Sequence, residues 1–382
     1  MSQSRYLKIA GFPLGFIAAT YVLLIVWRSY AAGFLYERAQ PTNLAEPAEA
    51  RISRYKKVLR QLDTAVKLNP LDAGYRFAFA QSLLEIIEDK ELAEFSELIY
   101  PSKDILSAAR DNYVASLKLE LFNPWPHLGL GRVYIHLQDW SKAQEEFRRA
   151  AELGFTDAQL HYKLAGYYLA LFPEGRLNDA YEEYKKALLY AEPEFQLKIM
   201  EEIYQSHAQD YNWLTAIIPD TAQARHAFAG FLREKKIYNE SIAEFKKAAE
   251  LVREKRENDI LADSYNWIGI IYMWQANYGQ AVEYFNKSLI FARDRLYKSW
   301  VFRNLGNTYL NGGKLEEARQ SYEMSIKNDP LKGVNYFVLG NLYEKMGRHT
   351  EATSYYQMAL AAECDENTKS EILQKLDKLK NF

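Results

Sequence analysis

The chain has 382 residues, with 48 Lys plus Arg against 50 Asp plus Glu and a formal charge of -2, a balance that argues against a dedicated nucleic-acid binder, which needs a concentrated basic surface. Hydrophobic residues at 48% and charged residues at 26% exclude wholesale disorder. The single Cys364 excludes an intrachain disulfide and a multi-thiolate zinc site, while only 11 Pro and 18 Gly point to long helices rather than a turn-rich β fold.

Residues 9–27 form an uncharged run of 19 residues. At 1.5 Å rise per residue a helix there spans roughly 28 Å, close to a bilayer core of about 30 Å. Pro13 falls in its first turn or so, and Tyr21 and Trp27 suit an interfacial belt. A cleaved signal peptide is the competing reading, with Ser29-Tyr30-Ala31 as a small-x-small site. The run exceeds the usual apolar stretch of a signal and Arg28 interrupts it before that site, so an uncleaved single-pass anchor is expected. Arg5 and Lys8 before the run nearly balance Arg28 and Arg38 after it. The short tail favours the N-terminus inside and the rest of the chain outside, with a cytosolic-facing chain as the alternative. Gly11 and Gly15 make a GxxxG pair through which two such helices could associate.

Beyond about residue 40 the chain has a period. Tyr336, Leu339, Gly340 and Tyr343 are followed by Gly347, Ala352, Tyr356 and Ala359. Thirty-four residues earlier stand Phe302, Leu305, Gly306, Tyr309, Gly313, Ala318, Tyr322 and Ser325. Another 37 residues back come Tyr265, Ile268, Gly269, Tyr272, Ala276, Ala281, Phe285 and Ser288, and far upstream His127, Leu130, Gly131, Tyr134, Ala143, Phe147 and Ala150. Small residues recur where two helices must touch, and large aromatics fill the gaps between them. Weaker copies carry Leu164, Ala165, Tyr168, Ala180 and Tyr184, and then Phe228, Ala229, Ser241, Phe245 and Ala248. Residues 194–219 are helical in pattern but off this template. Ile372, Leu376 and Leu379 share one face of a polar closing helix.

This pattern resembles the tetratricopeptide repeat, a helix–turn–helix unit of 34 residues. The resemblance covers roughly residues 73–366 and implies an all-α, right-handed solenoid of about six to eight helix pairs. In chain order the expectation is a tail over 1–8, the transmembrane helix over 9–27 and a juxtamembrane helical segment with a degenerate repeat over 28–72. A first repeat array over 73–194, an irregular helix pair over 195–221, a second array over 222–366 and a capping helix over 367–382 follow.

In this family the first helix of each pair lines a concave groove that holds a peptide or a partner helix. The family's groove offsets fall on Asn266, Trp267, Ile270, Met273 and Trp274, on Trp300, Arg303, Asn304, Asn307 and Asn311, and on Phe337, Asn341, Glu344 and Lys345. Asn307 and Asn341 occupy one site in successive repeats, and such an amide ladder suits a bound peptide backbone. Trp267, Trp274 and Trp300 would add apolar anchors, although aromatics at helical spacing also serve as core. Arg303 and Asn307 approach the carboxylate clamp of chaperone-binding members, but Val338 stands where that clamp needs a polar residue.

No catalytic pattern emerges. His127, His136, His161, His207, His226 and His349 have no HExxH or paired metal-ligand spacing, and His127, His161 and His226 are explained by packing. Gly312-Gly313-Lys314 lacks the remaining residues of a phosphate loop and reads as the turn between repeat helices. The expectation is therefore a non-enzyme with no metal and no cofactor, whose partners are proteins.

An anchor followed by such repeats looks like bacterial inner-membrane scaffolds serving envelope and polysaccharide assembly, with the repeats on the periplasmic side. The lipopolysaccharide-assembly members end in a cysteine-rich metal module, which this chain lacks. The segment from Trp213 to Asp220 is also similar to repeat proteins that accompany O-antigen polymerases and ligases. A regulatory subunit of a membrane glycosyltransferase and a precursor-protein import receptor are the alternatives.

Overall fold

The computed structural model describes residues 47–101, 104–171, 176–206, 211–253 and 257–379. Every regular element among these residues is a helix; Lys332 and Glu363 add one isolated bridge. No helix among them is long and apolar enough to cross a membrane. The apolar run over 9–27, the Gly11/Gly15 pair and His207 lie outside the described residues. The chain divides into two compact units, Met1–Ala191 and Glu192–Phe382.

In the first unit α1 (Ala48–Leu68) packs on α2 (Ala73–Glu88), and two single-turn pieces, α3 (Lys90–Ala93) and α4 (Ser96–Ile99), lead to α5 (Ile105–Leu119). Helix α5 returns along α2: the Ser116 hydroxyl donates to the Ala73 carbonyl at 3.0 Å. Two further pairs follow, α6 (Pro124–His136) with α7 (Trp140–Leu153) and α8 (Ala158–Leu171) with α9 (Leu177–Tyr190).

The second unit opens with α10 (Pro193–Ser206) and the short α11 (Tyr211–Ile217). Three regular pairs then stack on one another: α12 (Ala222–Glu234) with α13 (Tyr238–Leu251), α14 (Asn258–Trp274) with α15 (Tyr278–Phe291), and α16 (Arg295–Asn311) with α17 (Leu315–Asn328). A fourth pair, α18 (Gly333–Lys345) with α19 (His349–Ala361), is closed by α20 (Glu366–Leu379), which sinks Ile372 into the last core cluster.

Helix starts are set locally. Asp72, Asp104, Asn123, Asp139, Thr221, Asn277 and Asp294 each accept a backbone N–H of the first turn that has no intrahelical partner. The turns of α6–α7, α12–α13, α14–α15, α16–α17 and α18–α19 each pass through the left-handed region once, at Gln138, Lys236, Ala276, Gly313 and Gly347. Glycine adopts that conformation freely, whereas Gln138, Lys236 and Ala276 hold it at a cost of about 1 kcal/mol.

Side-chain size sets the pairing distance. A methyl on Gly131 would lie 2.3 Å from the Phe147 ring, and one on Gly306 would lie 2.4 Å from Tyr322. Phe147, Phe285, Tyr322 and Tyr356 thus rest on the bare backbone of a glycine in the first helix of their pair, and these rings and Phe245 are all fully buried.

Candidate partner-binding site

In the second unit the first helices α12, α14, α16 and α18 touch side by side. Their shared face carries a row of stacked side chains. The Arg233 guanidinium lies 3.6 Å from the centroid of the Trp267 ring. Trp267 meets Trp300 edge-on at 5.6 Å, and Trp300 meets Tyr297 edge-on at 5.5 Å. Offset and edge-on contacts of this kind are the arrangements that ring quadrupoles favour.

Polar bonds fix the row from below. The Tyr297 hydroxyl donates to Asp263 at 3.1 Å, and the other oxygen of Asp263 lies 3.0 Å from Nε2 of His226. Burial, reinforced by the Asp263 charge, pushes the Tyr297 phenol up, so it stays a donor. Beside Arg233 a hollow of about 710 Å³ opens between α10 and α12, walled by Leu197, Ala227, Gly230 and Phe231.

Arg303 is the electrostatic feature of the face. Its half-buried guanidinium donates to the neutral amide oxygen of Asn335 at 3.0 Å and ion-pairs with no carboxylate among the described residues. Burial pushes its pKa down, and the more distant Asp329 offsets only part of that. A desolvated cation without an anion is costly unless a ligand supplies one.

The remaining sequence candidates are placed as follows. Asn266 is fully buried and its oxygen accepts from Asn304 at 3.3 Å, so it is not offered to a ligand. The amide oxygen of Asn307 accepts the Tyr322 hydroxyl at 2.7 Å, and the Tyr356 hydroxyl is shared between the Asn341 amide oxygen at 2.7 Å and the Glu344 carboxylate at 2.5 Å. The expected ladder for a bound backbone is thus a pair of braces within each repeat, because a buried phenol must find an acceptor. Trp274 is half exposed and leans on Tyr238 at 5.8 Å. Asn311 and Lys345, the last residues of α16 and α18, are exposed.

Sequence reasoning brought Trp267 and Trp300 to one face but missed Arg233, Tyr297 and Asp263. Arg233 stands at the offset in its repeat that Met273 and Glu344 hold in theirs, so extending the groove assignment back to Ala222 would have found it. Among the described residues no three His, Cys, Asp or Glu side chains gather as a metal site.

Residues 260–330 and 336–370 each match a family profile described as tetratricopeptide repeat. These segments carry tetratricopeptide repeats. Among curated proteins the chain is similar to human "Protein O-mannosyl-transferase TMTC1", at 23% identity over 66% of this chain and 24% of that one. It is also similar to "Photosystem I assembly protein Ycf3" of Prochlorococcus marinus subsp. pastoris, at 24% identity over 20% of this chain and 43% of the other. The chain therefore spans about a quarter of the first relative's length and under half of the second's. Among solved structures, PilF of Pseudomonas aeruginosa aligns over 70% of this chain and 99% of its own at 20% identity and a TM-score of 0.35. PilW, a type IV pilus biogenesis factor, aligns over 65% and 96% at 19% identity and a TM-score of 0.38.

Proposed function

We propose that the chain is a protein-binding scaffold that seats a partner segment on the shared face of α12, α14, α16 and α18. The observation that carries this reading is Arg303, a half-buried guanidinium with one neutral partner beside a preformed aromatic row. An acidic group of the partner would complete Arg303, and a large apolar group would cover Trp267 and Trp300. Membrane anchoring through residues 9–27, with the repeats outside the bilayer and serving envelope or polysaccharide assembly, is the setting we propose for it.

The test is capture of the full-length chain from crosslinked cells of its source, beside a Trp267→Ala, Arg303→Ala variant. Loss of two anchor side chains should weaken the partner by about 30-fold or more, the effect of about 2 kcal/mol at a hot spot. Retention of the same partners by a variant that stays helical would refute the site.

A repeat module serving a membrane glycosyltransferase is the second reading, favoured by the similarity to the human protein O-mannosyl-transferase. It predicts one-to-one co-purification with such an enzyme and altered transfer activity when Arg303 is replaced.

A further inference from the structure

The second unit has an edge that the proposed groove does not use. Three large aliphatic side chains stand exposed where a second helix hands over to the next first helix: Ile290 at 75%, Leu296 at 61% and Leu331 at 67%. The two handover loops are neighbours, because Nη2 of Arg295 donates to the Lys327 carbonyl at 3.1 Å. Isolated exposed leucines are ordinary, but a contiguous apolar set on a solvent-facing edge marks an interaction surface.

The charge around this set leans positive. Arg293, Arg295, Lys298, Lys327 and Lys332 stand along residues 290–298 and 327–332 against Asp294 and Asp329. Glu363, bridged to Lys332 through the backbone, and Asp365 two residues on are the other acids nearby and leave an excess of one cation. Asp294 is occupied, accepting the backbone N–H of Tyr297 at 2.8 Å to cap α16. Arg295, Lys327 and Lys332 ion-pair with no carboxylate among the described residues.

We propose that this edge docks on an anionic lipid surface, independently of the run over 9–27 and of the groove. Ile290, Leu296 and Leu331 project from helix ends rather than lining a groove, so they suit penetration between headgroups more than the grip of a peptide. Long Lys and Arg stems beside them can lie on the apolar layer while their charged ends reach the phosphates. Such docking would lay the handover loops against the bilayer and leave the face with Arg303 open to partners.

The test uses the full chain in a Cys364→Ser background with Leu331→Cys carrying an environment-sensitive NBD label. A control carries the same label at Gln275→Cys, in a turn at the other end of the helices. Vesicles of phosphatidylcholine alone are compared with vesicles one-quarter phosphatidylglycerol. The label at 331 should shift to the blue and brighten only on the anionic vesicles, and salt should reverse the change. The label at 275 should not respond. Lys327→Ala and Lys332→Ala should each weaken the response about fivefold, the share of one cation near such a surface. Ile290→Ser with Leu296→Ser should abolish the blue shift while circular dichroism stays helical.

Flotation of the chain with an unshifted label at 331 would mean that another segment attaches it, and would overturn the proposal. An equal response at 275, or on pure phosphatidylcholine, would overturn it as well. So would an equal response at 331 to soluble polyglutamate, which would show that charge alone acts and that the partner is an acidic protein.

Discussion

The tyrosine at the centre of a repeat and the amide 15 residues before it act as one part. Tyr322 donates to Asn307, and Tyr356 sits between Asn341 and Glu344; a comparable bond across a longer insertion occurs in the first unit, where Tyr113 donates to Gln81, 32 residues earlier, at 3.0 Å. Where the aromatic is Phe, as at 147, 245 and 285, the residue 15 earlier is Arg132, Gly230 or Ile270, and none needs to accept. This correspondence was present in the sequence, and comparing the repeats position by position would have kept Asn307 and Asn341 out of the groove. Tyr322→Phe should cost about 1 kcal/mol, and Asn307→Ala more, because it strands a buried hydroxyl. A double-mutant cycle in urea should return a coupling of about 1 kcal/mol, and additive effects would deny the tie. Glycines separate in the same way. A methyl on Gly230 meets nothing within 4 Å, whereas one on Gly131 meets the Phe147 ring. Gly230→Ala should raise the thermal midpoint through about 0.4–1 kcal/mol of helix propensity, and Gly131→Ala should lower it by forcing α6 and α7 apart.

Between elements, polar bridges recur in register. His127 meets Glu146 at 2.6 Å, His161 meets Glu183 at 2.5 Å and Arg225 meets Glu244 at 3.0 Å, each joining the first and second helix of its own pair. Tyr265 and Tyr284, 6.0 Å apart, fill that site in the next pair. Each histidine could be read as packing from sequence because an aromatic takes its place elsewhere in the array; its carboxylate partner lies on another helix and was not legible. The positions of the regular pairs were legible, because small residues and aromatics recur at fixed spacing. The face shared by Arg233, Trp267 and Trp300 was legible from the repeat offsets, but the stacking of these side chains, 33 or 34 residues apart, on one another was not. Neighbouring first helices are tied in the first unit as well: Arg132 on α6 grips Glu88 at the end of α2, with Nε donating at 3.0 Å. Burial pushes the Glu88 carboxyl up, but bonds from His136 and Arg132 outweigh it and hold its pKa below the ordinary value of 4.5. A carboxyl depressed in the folded state stabilises the fold at all pH above its unfolded pKa, and that stability is lost as pH falls through the folded value. The stability gap between the native chain and Glu88→Gln should therefore hold steady above about pH 5 and shrink on further acidification. Urea midpoints across that range are the check; a gap that widens in acid would reverse the assignment.

Within each unit the packing runs between sequence neighbours, as in repeat proteins whose stability is a sum of unit and interface contributions. That property gives a prediction for the whole chain. Phe147 is fully buried between α6 and α7, stacks on Tyr167 of α8 at 5.8 Å and meets Tyr168 edge-on at 5.9 Å. Phe147→Ala should remove about 3–5 kcal/mol locally, enough to open one repeat interface. In a single cooperative domain that loss would appear at every amide whose exchange needs global unfolding. In a chain of neighbour-coupled repeats it should speed hydrogen exchange across α6 to α9 by orders of magnitude and leave α14 to α19 at native rates. Those later helices have their own buried rings, Phe285, Tyr322 and Tyr356, each seated on a glycine of its own pair. Peptide-resolved exchange on the full chain distinguishes the two outcomes. Uniform acceleration would mean that the two units unfold as one, and a partner seated on α12 to α18 would then sense damage anywhere in the chain. Local acceleration would leave the face carrying Arg303 and Trp267 intact, with partner binding unchanged by Phe147→Ala.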